Sequence, residues 1–283
     1  MKKTILEAKN LCKSFANEGT QVHILNNIDL KLYEGDFTVV MGASGSGKST
    51  LLYNISGMDK PSEGSVIFND EDITGLSEKK LAKLRAFSFG FVFQQIHLVN
   101  NLTLLENTLV PGYMDKDKTK QQVQERADML FEKMSLLDAK DRLPSQVSGG
   151  EAQRAAIARA VINEPAILFA DEPTGALNRS NTGKVLDLMS MLNKEGQSIL
   201  MVTHDIKAAL RANRLIYIED GKIGGEMELK PYFELTGFDM DSRFKVNDNE
   251  DKNSYQIREK EINKDELKDR EAQVNSWLSS MNW

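Results

Sequence analysis

With one cysteine in 283 residues, Cys12, no disulfide can form within the chain, so packing and hydrogen bonds must hold the fold. No apolar stretch of signal type follows Met1-Lys2-Lys3, and both features point to the cytosol. Long hydrophobic runs are also missing. The best candidate, around Ala155 to Ala170, is broken by Arg159, Glu164 and Pro165 and falls short of the roughly 20 apolar residues that a bilayer crossing needs. Any service to a membrane would then run through a partner. Basic charge is in deficit as well: 36 Lys and Arg face 42 Asp and Glu, a net charge of -6, which argues against nucleic acid as a ligand. A hydrophobic share of 40% and a charged share of 28% exclude wholesale disorder and leave a packed fold, either one large domain with an appendage or two small domains.

Short apolar runs that end in polar residues alternate with helical periodicity, as in an α/β protein with a parallel sheet. Phe37 to Met41 leads into glycines, Ile167 to Ala170 into Asp171, and Ser198 to Val202 into Thr203-His204. Open parallel sheets bind ligands beyond the carboxyl ends of their strands, so these polar residues are expected to converge there. Between the first two runs, from about Leu98 to Val147, the texture turns helical. Val123, Ala127, Leu130, Met134 and Leu137 recur at steps of four and three and are expected to share one face of an inserted helical lobe. Asp220-Gly221, between Leu215 to Ile218 and Lys222-Ile223, predicts a hairpin turn.

The segment Gly42-Ala-Ser-Gly-Ser-Gly-Lys48-Ser49 satisfies G-x-x-x-x-G-K-[ST] between a predicted strand and a helical stretch from Thr50 to Ser56. Its glycines let backbone N–H groups turn around phosphate oxygens, and the helix N-terminus adds its dipole. Lys48 reaches the β and γ phosphates, and Ser49 offers an oxygen to Mg²⁺. The nucleotide set is Gly42, Ser44, Gly45, Ser46, Gly47, Lys48, Ser49 and Thr50. Asp171, at the end of an apolar strand, is placed to serve the metal, and Glu172 beside it is the candidate general base. His204 ends another strand, either as a structural residue or as a donor to the γ-phosphate or orienter of the base. Gln94, after Phe89 to Phe93, is a candidate for holding the metal or the attacking water. Ser148-Gly149-Gly150-Glu151 opens an alanine-rich helix and reads either as an ordinary capped helix start or as a second anion cradle. One nucleotide does not need two cradles from one chain, so two copies facing head to tail is the economical arrangement.

Taken in order and spacing, the loop Gly42 to Ser49, Gln94, Ser148 to Glu151, Ile167 to Glu172 and His204 resemble the motifs of ABC transporter ATPases over about residues 1–230. The resemblance implies a P-loop NTPase core with a mostly parallel sheet, an N-terminal antiparallel β subdomain, an α-helical insertion at about 98–163, and a helical C-terminal extension over 231–283. It makes Lys48 and Ser49 the Walker A phosphate and magnesium residues, Asp171 the Walker B aspartate, Glu172 the base, His204 the switch histidine and Gln94 the Q-loop residue that senses the membrane partner. Phe15 matches the position where the family stacks a tyrosine on adenine, unless it is a core aromatic. The implied protein is an ATPase that binds ATP and Mg²⁺, pairs with a second copy, and drives a transmembrane permease from the cytoplasmic face of the membrane.

Within the family, Met41 to Gly47, Gly90-Phe-Val-Phe-Gln-Gln95, Leu102 to Asn107 and Asp171-Glu-Pro-Thr-Gly-Ala-Leu177 resemble the branch of lipoprotein-release, macrolide-export and antimicrobial-peptide-resistance ATPases, most closely the bacitracin and lantibiotic-resistance type. That type implies peptide-antibiotic resistance or export, with lipoprotein or macrolide export, or envelope signalling to a sensor kinase, as alternatives. Translation and repair ATPases of the family carry a second ATPase unit or a long coiled-coil insertion, and neither is present. Two departures stand out. Asn178 occupies a D-loop position that is commonly Asp, and Val147 precedes Ser148 where Leu is usual. Beyond the core, Val274, Trp277, Leu278 and Met281 form one apolar stripe, which packs either on its own domain or on a partner.

Overall fold

The computed structural model describes residues 2–17, 20–236, 264–281 and 283. Two sheets stack across one of the apolar clusters. The first is antiparallel, with β1 (Thr4–Asn17) between β2 (Thr20–Tyr33) and β4 (Glu63–Phe68), and the two-residue β5 (Glu71–Asp72) beyond. The second is built from β3 (Phe37–Met41), β6 (Phe89–Phe93), β7 (Ile167–Asp171), β8 (Ser198–Val202), β9 (Arg214–Glu219) and β10 (Lys222–Glu228) in the order β10-β9-β3-β8-β7-β6. It is parallel except for β10, so the fold class expected from the sequence is borne out.

The central strands are buried on both faces, and their two-residue period splits the core in two. Val40, Phe169 and Ile167 face the antiparallel sheet and α1 (Lys48–Ile55), which contributes Leu51, Leu52 and Ile55. Val39, Leu168 and Ala170 face the other way, onto α5 (Gly149–Val161) and α6 (Arg179–Lys194). The short α2 (Glu78–Phe87) leads into β6. The tip predicted at Asp220-Gly221 is a two-residue turn with φ of 47° and 71°, the left-handed pair that such a hairpin requires.

The helical lobe holds α3 (Leu104–Gly112) and α4 (Lys120–Lys133), each opened by a threonine capping box, Thr103 with Glu106 and Thr119 with Gln122. Val123, Ala127 and Leu130 are buried on one face of α4 as expected, and Met134 is buried just beyond its end. Leu137 departs from that expectation. The helix stops at Lys133, Ser135 takes a φ of 53°, and Leu137 falls in a separate 3-10 turn with 46% of its surface exposed. A break in the backbone ends the phase relation on which a periodic stripe depends. Arg126 of α4 donates to the carbonyls of Val161 and Ile162, tying the lobe to the end of α5.

After β8 come the four-residue α7 (Ile206–Ala209) and the β9–β10 hairpin, then α8 (Tyr232–Thr236) and the tail helix α9 (Lys264–Ser280). Of the two destinations open to the tail stripe, its own domain is the one observed. Val274 and Leu278 are buried with Ala208, Ala209 and Ala212, and Trp277 and Met281 pack beside them. Burying Val274 and Leu278 stabilises this seat by about 1.5–3 kcal/mol each. The charged residues 251–263 ahead of α9 lie outside the described residues.

Candidate nucleotide site

β3 is buried throughout and ends at Met41, where the chain turns through the glycine loop into α1. Close approach dictates Gly42: a Cβ there would lie 2.2 Å from the carbonyl oxygen of Ile218 and 2.6 Å from Ser46 Oγ. Gly47, the N-cap of α1, has a φ of 100° that side chains rarely tolerate. Ala43, Ser44 and Gly45 are exposed at the crest, Ser49 and Thr50 are half-buried, and Lys48 is buried. The Lys48 ammonium donates to the carbonyls of Gly42 (2.7 Å) and Ala43 (2.8 Å). Burial lowers its pKa, and the Glu172 and Asp171 carboxylates oppose that shift. Ser46 Oγ is buried without a hydrogen-bond partner. A lone buried hydroxyl inside a ring of glycine backbone is the unmet donor that a phosphate oxygen would satisfy. Behind the loop, the hairpin tip braces it, since Gly221 N–H donates to the Ser46 carbonyl (3.1 Å).

Two strands away, β7 ends in the paired carboxylates. Strand register aligns Asp171 with Val202 of β8 and Phe93 of β6, so Glu172, Thr203 and Gln94 leave the sheet at one edge, as the strand ends predict. Asp171 accepts from Ser49 Oγ on one oxygen (2.8 Å) and from the Tyr53 hydroxyl on the other (2.6 Å). Burial, then the bond to Asp171, pushes the Tyr53 phenol up to about 12. Glu172 adopts a φ of 45°, held by its N–H to the Val202 carbonyl. Both of its carboxylate oxygens are engaged, one with Thr203 Oγ1 and one with His204 Nδ1, each at 2.9 Å. Thr203 Oγ1 in turn accepts from Asp205 N–H (3.0 Å). The imidazole of His204 is otherwise open, its side chain 67% exposed.

Tyr53 and Thr203 are site residues that the sequence motifs do not mark. Tyr53 lies four residues after Ser49 and therefore on the same helical face, a spacing that could have found it. Gln153, 1% exposed, is a third such residue: its side-chain amide donates to the Phe93 carbonyl and ties α5 to the segment carrying Gln94. Gln94 itself is exposed and lies against Gly175, where a Cβ would come within 2.8 Å of its Nε2. Among the described residues it makes no hydrogen bond to Asp171 or Glu172.

At the head of α5, Ser148 and Glu151 form a full capping box, with Ser148 Oγ donating to Glu151 Oε2 (2.7 Å) and accepting from its N–H (3.3 Å). These bonds hold the Glu151 carboxyl below the usual carboxylate range. The amides of Gly149 and Gly150 are first-turn groups without a helical partner, so they remain donors. α5 packs on β6, at the edge of the sheet, whereas the phosphate loop follows β3, three positions away in the strand order.

The ABC transporter family profile matches residues 25–175. The lipoprotein-releasing system ATP-binding protein LolD of Aquifex aeolicus is 44% identical over 223 residues, which are 79% of this chain and 97% of that protein. The bacitracin export ATP-binding protein BceA of Halalkalibacterium halodurans is 42% identical over 220 residues, 77% of this chain and 87% of its own. The macrolide export ATP-binding/permease protein MacB of Pasteurella multocida is 39% identical over 223 residues, 79% of this chain but 34% of its own length. Among solved structures, the dimeric post-hydrolysis state of the ATP-binding cassette MJ0796 bound to ADP and Pi is 37% identical, with a TM-score of 0.74 over 80% of this chain and 99% of that one. The chain belongs to the ABC transporter family.

It is the ATP-hydrolysing, nucleotide-binding subunit of a transporter, and these relatives span the branch that its motifs resemble. No helix among the described residues of this ABC ATPase is long and apolar enough to cross a membrane. Phe15 is not a core aromatic: it is 47% exposed, and Lys13 Nζ stands 4.9 Å from its ring centroid. Asn178 is the N-cap of α6, its side-chain oxygen accepting from Asn181 N–H (3.0 Å). Aspartate in its place would cap equally well, so the departure leaves the helix start intact.

Proposed function

We propose that two copies of this chain close head to tail on two ATP molecules and, by closing, drive a membrane permease that confers resistance to peptide antibiotics. The ATPase domain is residues 1–230, with its helical insertion at about 98–163, and 231–283 is an extension. In each site, one copy supplies Gly42, Ser44, Gly45, Ser46, Gly47, Lys48, Ser49 and Thr50 around the phosphates and Phe15 against the base, and the other supplies Ser148, Gly149, Gly150 and Glu151. The placement of the two cradles within one chain supports this reading, because one follows β3 and the other is carried by α5 on β6, three strands away. Ser49 and Asp171, with Gln94 alongside, would hold Mg²⁺, which when bound draws charge from the β and γ phosphate oxygens. A site of one hydroxyl and one carboxylate suits an ion that takes the rest of its oxygens from phosphate and water; no cluster of three or more metal-binding side chains occurs among the described residues.

One observation carries the hydrolytic assignment: Glu172 has both oxygens held, by Thr203 and His204, at the strand edge beside Lys48 and Asp171. There it accepts a proton from water that attacks the γ-phosphorus, while the bond to the β–γ bridging oxygen breaks and ADP leaves. His204 orients the base and faces the γ-phosphate. Glu172→Gln should trap an ATP-bound dimer, visible by light scattering, and Lys48→Ala should abolish turnover. A Glu172→Gln protein that hydrolyses at the parent rate, or stays a monomer in saturating ATP, would refute this reading. The likeness to BceA, a bacitracin export ATP-binding protein, supports the peptide-antibiotic assignment; a place at the cytoplasmic face through the permease and a link from permease to sensor kinase belong to the same proposal. The likeness to LolD along nearly its whole length favours lipoprotein release as the second reading. Identifying the membrane protein that co-purifies in mild detergent decides between them.

A further inference from the structure

Arg270, on the tail helix α9, is 4% exposed although it carries a full charge. Its guanidinium spends its donors on main-chain carbonyls: Nε on Leu210 (2.8 Å), Nη1 on Lys230 (2.8 Å) and Nη2 on Ala212. Burial pulls its pKa down to about 10, with Tyr232 opposing the shift. Each carbonyl meets a different nitrogen of the rigid guanidinium fork, a spread that the single nitrogen of a lysine ammonium does not match. The carbonyls are not arbitrary. Leu210 closes α7, and Ala212 lies two residues on, so the cation sits where the last carbonyls of a short helix point.

α7 begins immediately after the hydrolytic residues. Asp205 caps it, its side-chain oxygen accepting from Lys207 N–H (2.9 Å), while Asp205 N–H donates to Thr203 Oγ1, which donates to Glu172. From the tail to the carboxylate the path is continuous: Arg270, the end of α7, Asp205, Thr203, Glu172, with His204 beside it. Ala208, Ala209 and Ala212 are buried in the same core cluster as Val274 and Leu278, and Arg270 bonds α9 directly to Leu210 at the end of α7.

We propose that Arg270 is a positioning residue for hydrolysis: docking of α9 fixes α7, and through it Thr203 and His204 on the Glu172 carboxylate, so that the tail sets the turnover rate. The inference rests on the roles given above to Glu172 and His204. Anything that lifts α9 from its seat slows ATP turnover without weakening ATP binding.

The test uses full-length Arg270→Met and Arg270→Lys, with turnover measured by phosphate release and docking by tryptophan emission. Both tryptophans, Trp277 and Trp283, lie on the tail, so emission reports the seat alone. Arg270→Met should lower kcat roughly tenfold, the order expected when a general base loses its orientation, with KM for ATP unchanged, and Arg270→Lys should recover part of the loss. In a His204→Ala background, with residual turnover followed at high enzyme concentration, Arg270→Met should add little, because the two act along one path. Should Arg270→Met fail to fold, Leu278→Ala substitutes for it, and its kcat must fall as its emission shifts. Parent kcat in variants whose emission has shifted, or an equal loss with and without His204, overturns the proposal. Glu172→Gln serves as the control: if it is inactive while the Arg270 variants turn over normally, only the tail inference fails, whereas an active Glu172→Gln removes the reading beneath it.

Discussion

Thr203→Val isolates the hydroxyl that connects the end of β8 to the candidate base. Valine keeps the shape of threonine, and at 0% exposure no water can enter to replace the lost oxygen. Two bonds go at once, the donation to Glu172 at 2.9 Å and the acceptance from Asp205 N–H at 3.0 Å. A hydrogen bond to an ionised group contributes about 1.5–3 kcal/mol, and a buried donor left unpaired costs about 1–3 kcal/mol, so the expected destabilisation is about 3–5 kcal/mol. At about 2–4 °C per kcal/mol for a chain of this size, Tm should fall by roughly 10 °C. Glu172 would keep His204 on one oxygen and lose its restraint on the other, and kcat should drop roughly tenfold, within the range that general-base catalysis supplies. KM for ATP should hold, because the phosphate loop is untouched. Phosphate release at saturating ATP and thermal melting of the same preparation give both quantities, and Thr203→Ser, which retains the oxygen, should stay near the parent. A Thr203→Val enzyme with parent kcat would show that this hydroxyl does not position the base.

Ser148→Ala removes the cap of α5 and should lower stability by about 1 kcal/mol in denaturant titration. The same change alters acid behaviour. Ser148 holds the Glu151 pKa below its ordinary 4.5, so this stabilisation is complete above pH 4.5 and lost as pH falls through the folded value; below pH 4.5 the parent should lose Tm more steeply than Ser148→Ala, and parallel curves would contradict it. Gly221→Val places a Cβ 2.2 Å from the Ile24 carbonyl oxygen at a φ of 71°, and a loss on the order of 1–3 kcal/mol is expected together with weaker nucleotide binding, because Gly221 N–H braces the Ser46 carbonyl. An unchanged Tm would count against that brace. Asn178→Asp preserves the cap of α6 and adds a negative charge at its N-terminus, so melting should show a gain of about 0.3–1 kcal/mol; a loss would mean that the amide does more than cap.

Local chain geometry made much of this protein legible from its residues. The phosphate loop between a strand and a helix, the polar residues at three strand ends, the Asp220-Gly221 turn and the tail stripe all follow from spacing, from the φ that glycine allows and from periods of two and 3.6, none of which needs a distant partner. Tertiary structure decided what each of these meets. The stripe of α9 does not name its seat, and only packing puts Val274 into the core cluster that holds Ala208. Leu137 kept its phase in the sequence and lost it to a turn at Ser135. The turn at Asp220-Gly221 was readable, whereas its grip on Ser46, 175 positions earlier in the chain, was not. Tyr53 on Asp171, Thr203 on Glu172 and Arg270 on the end of α7 join residues 31 to 118 positions apart. A pattern along the chain determines which face a residue occupies, but its partner across the core depends on how whole elements stack, and that information is not local.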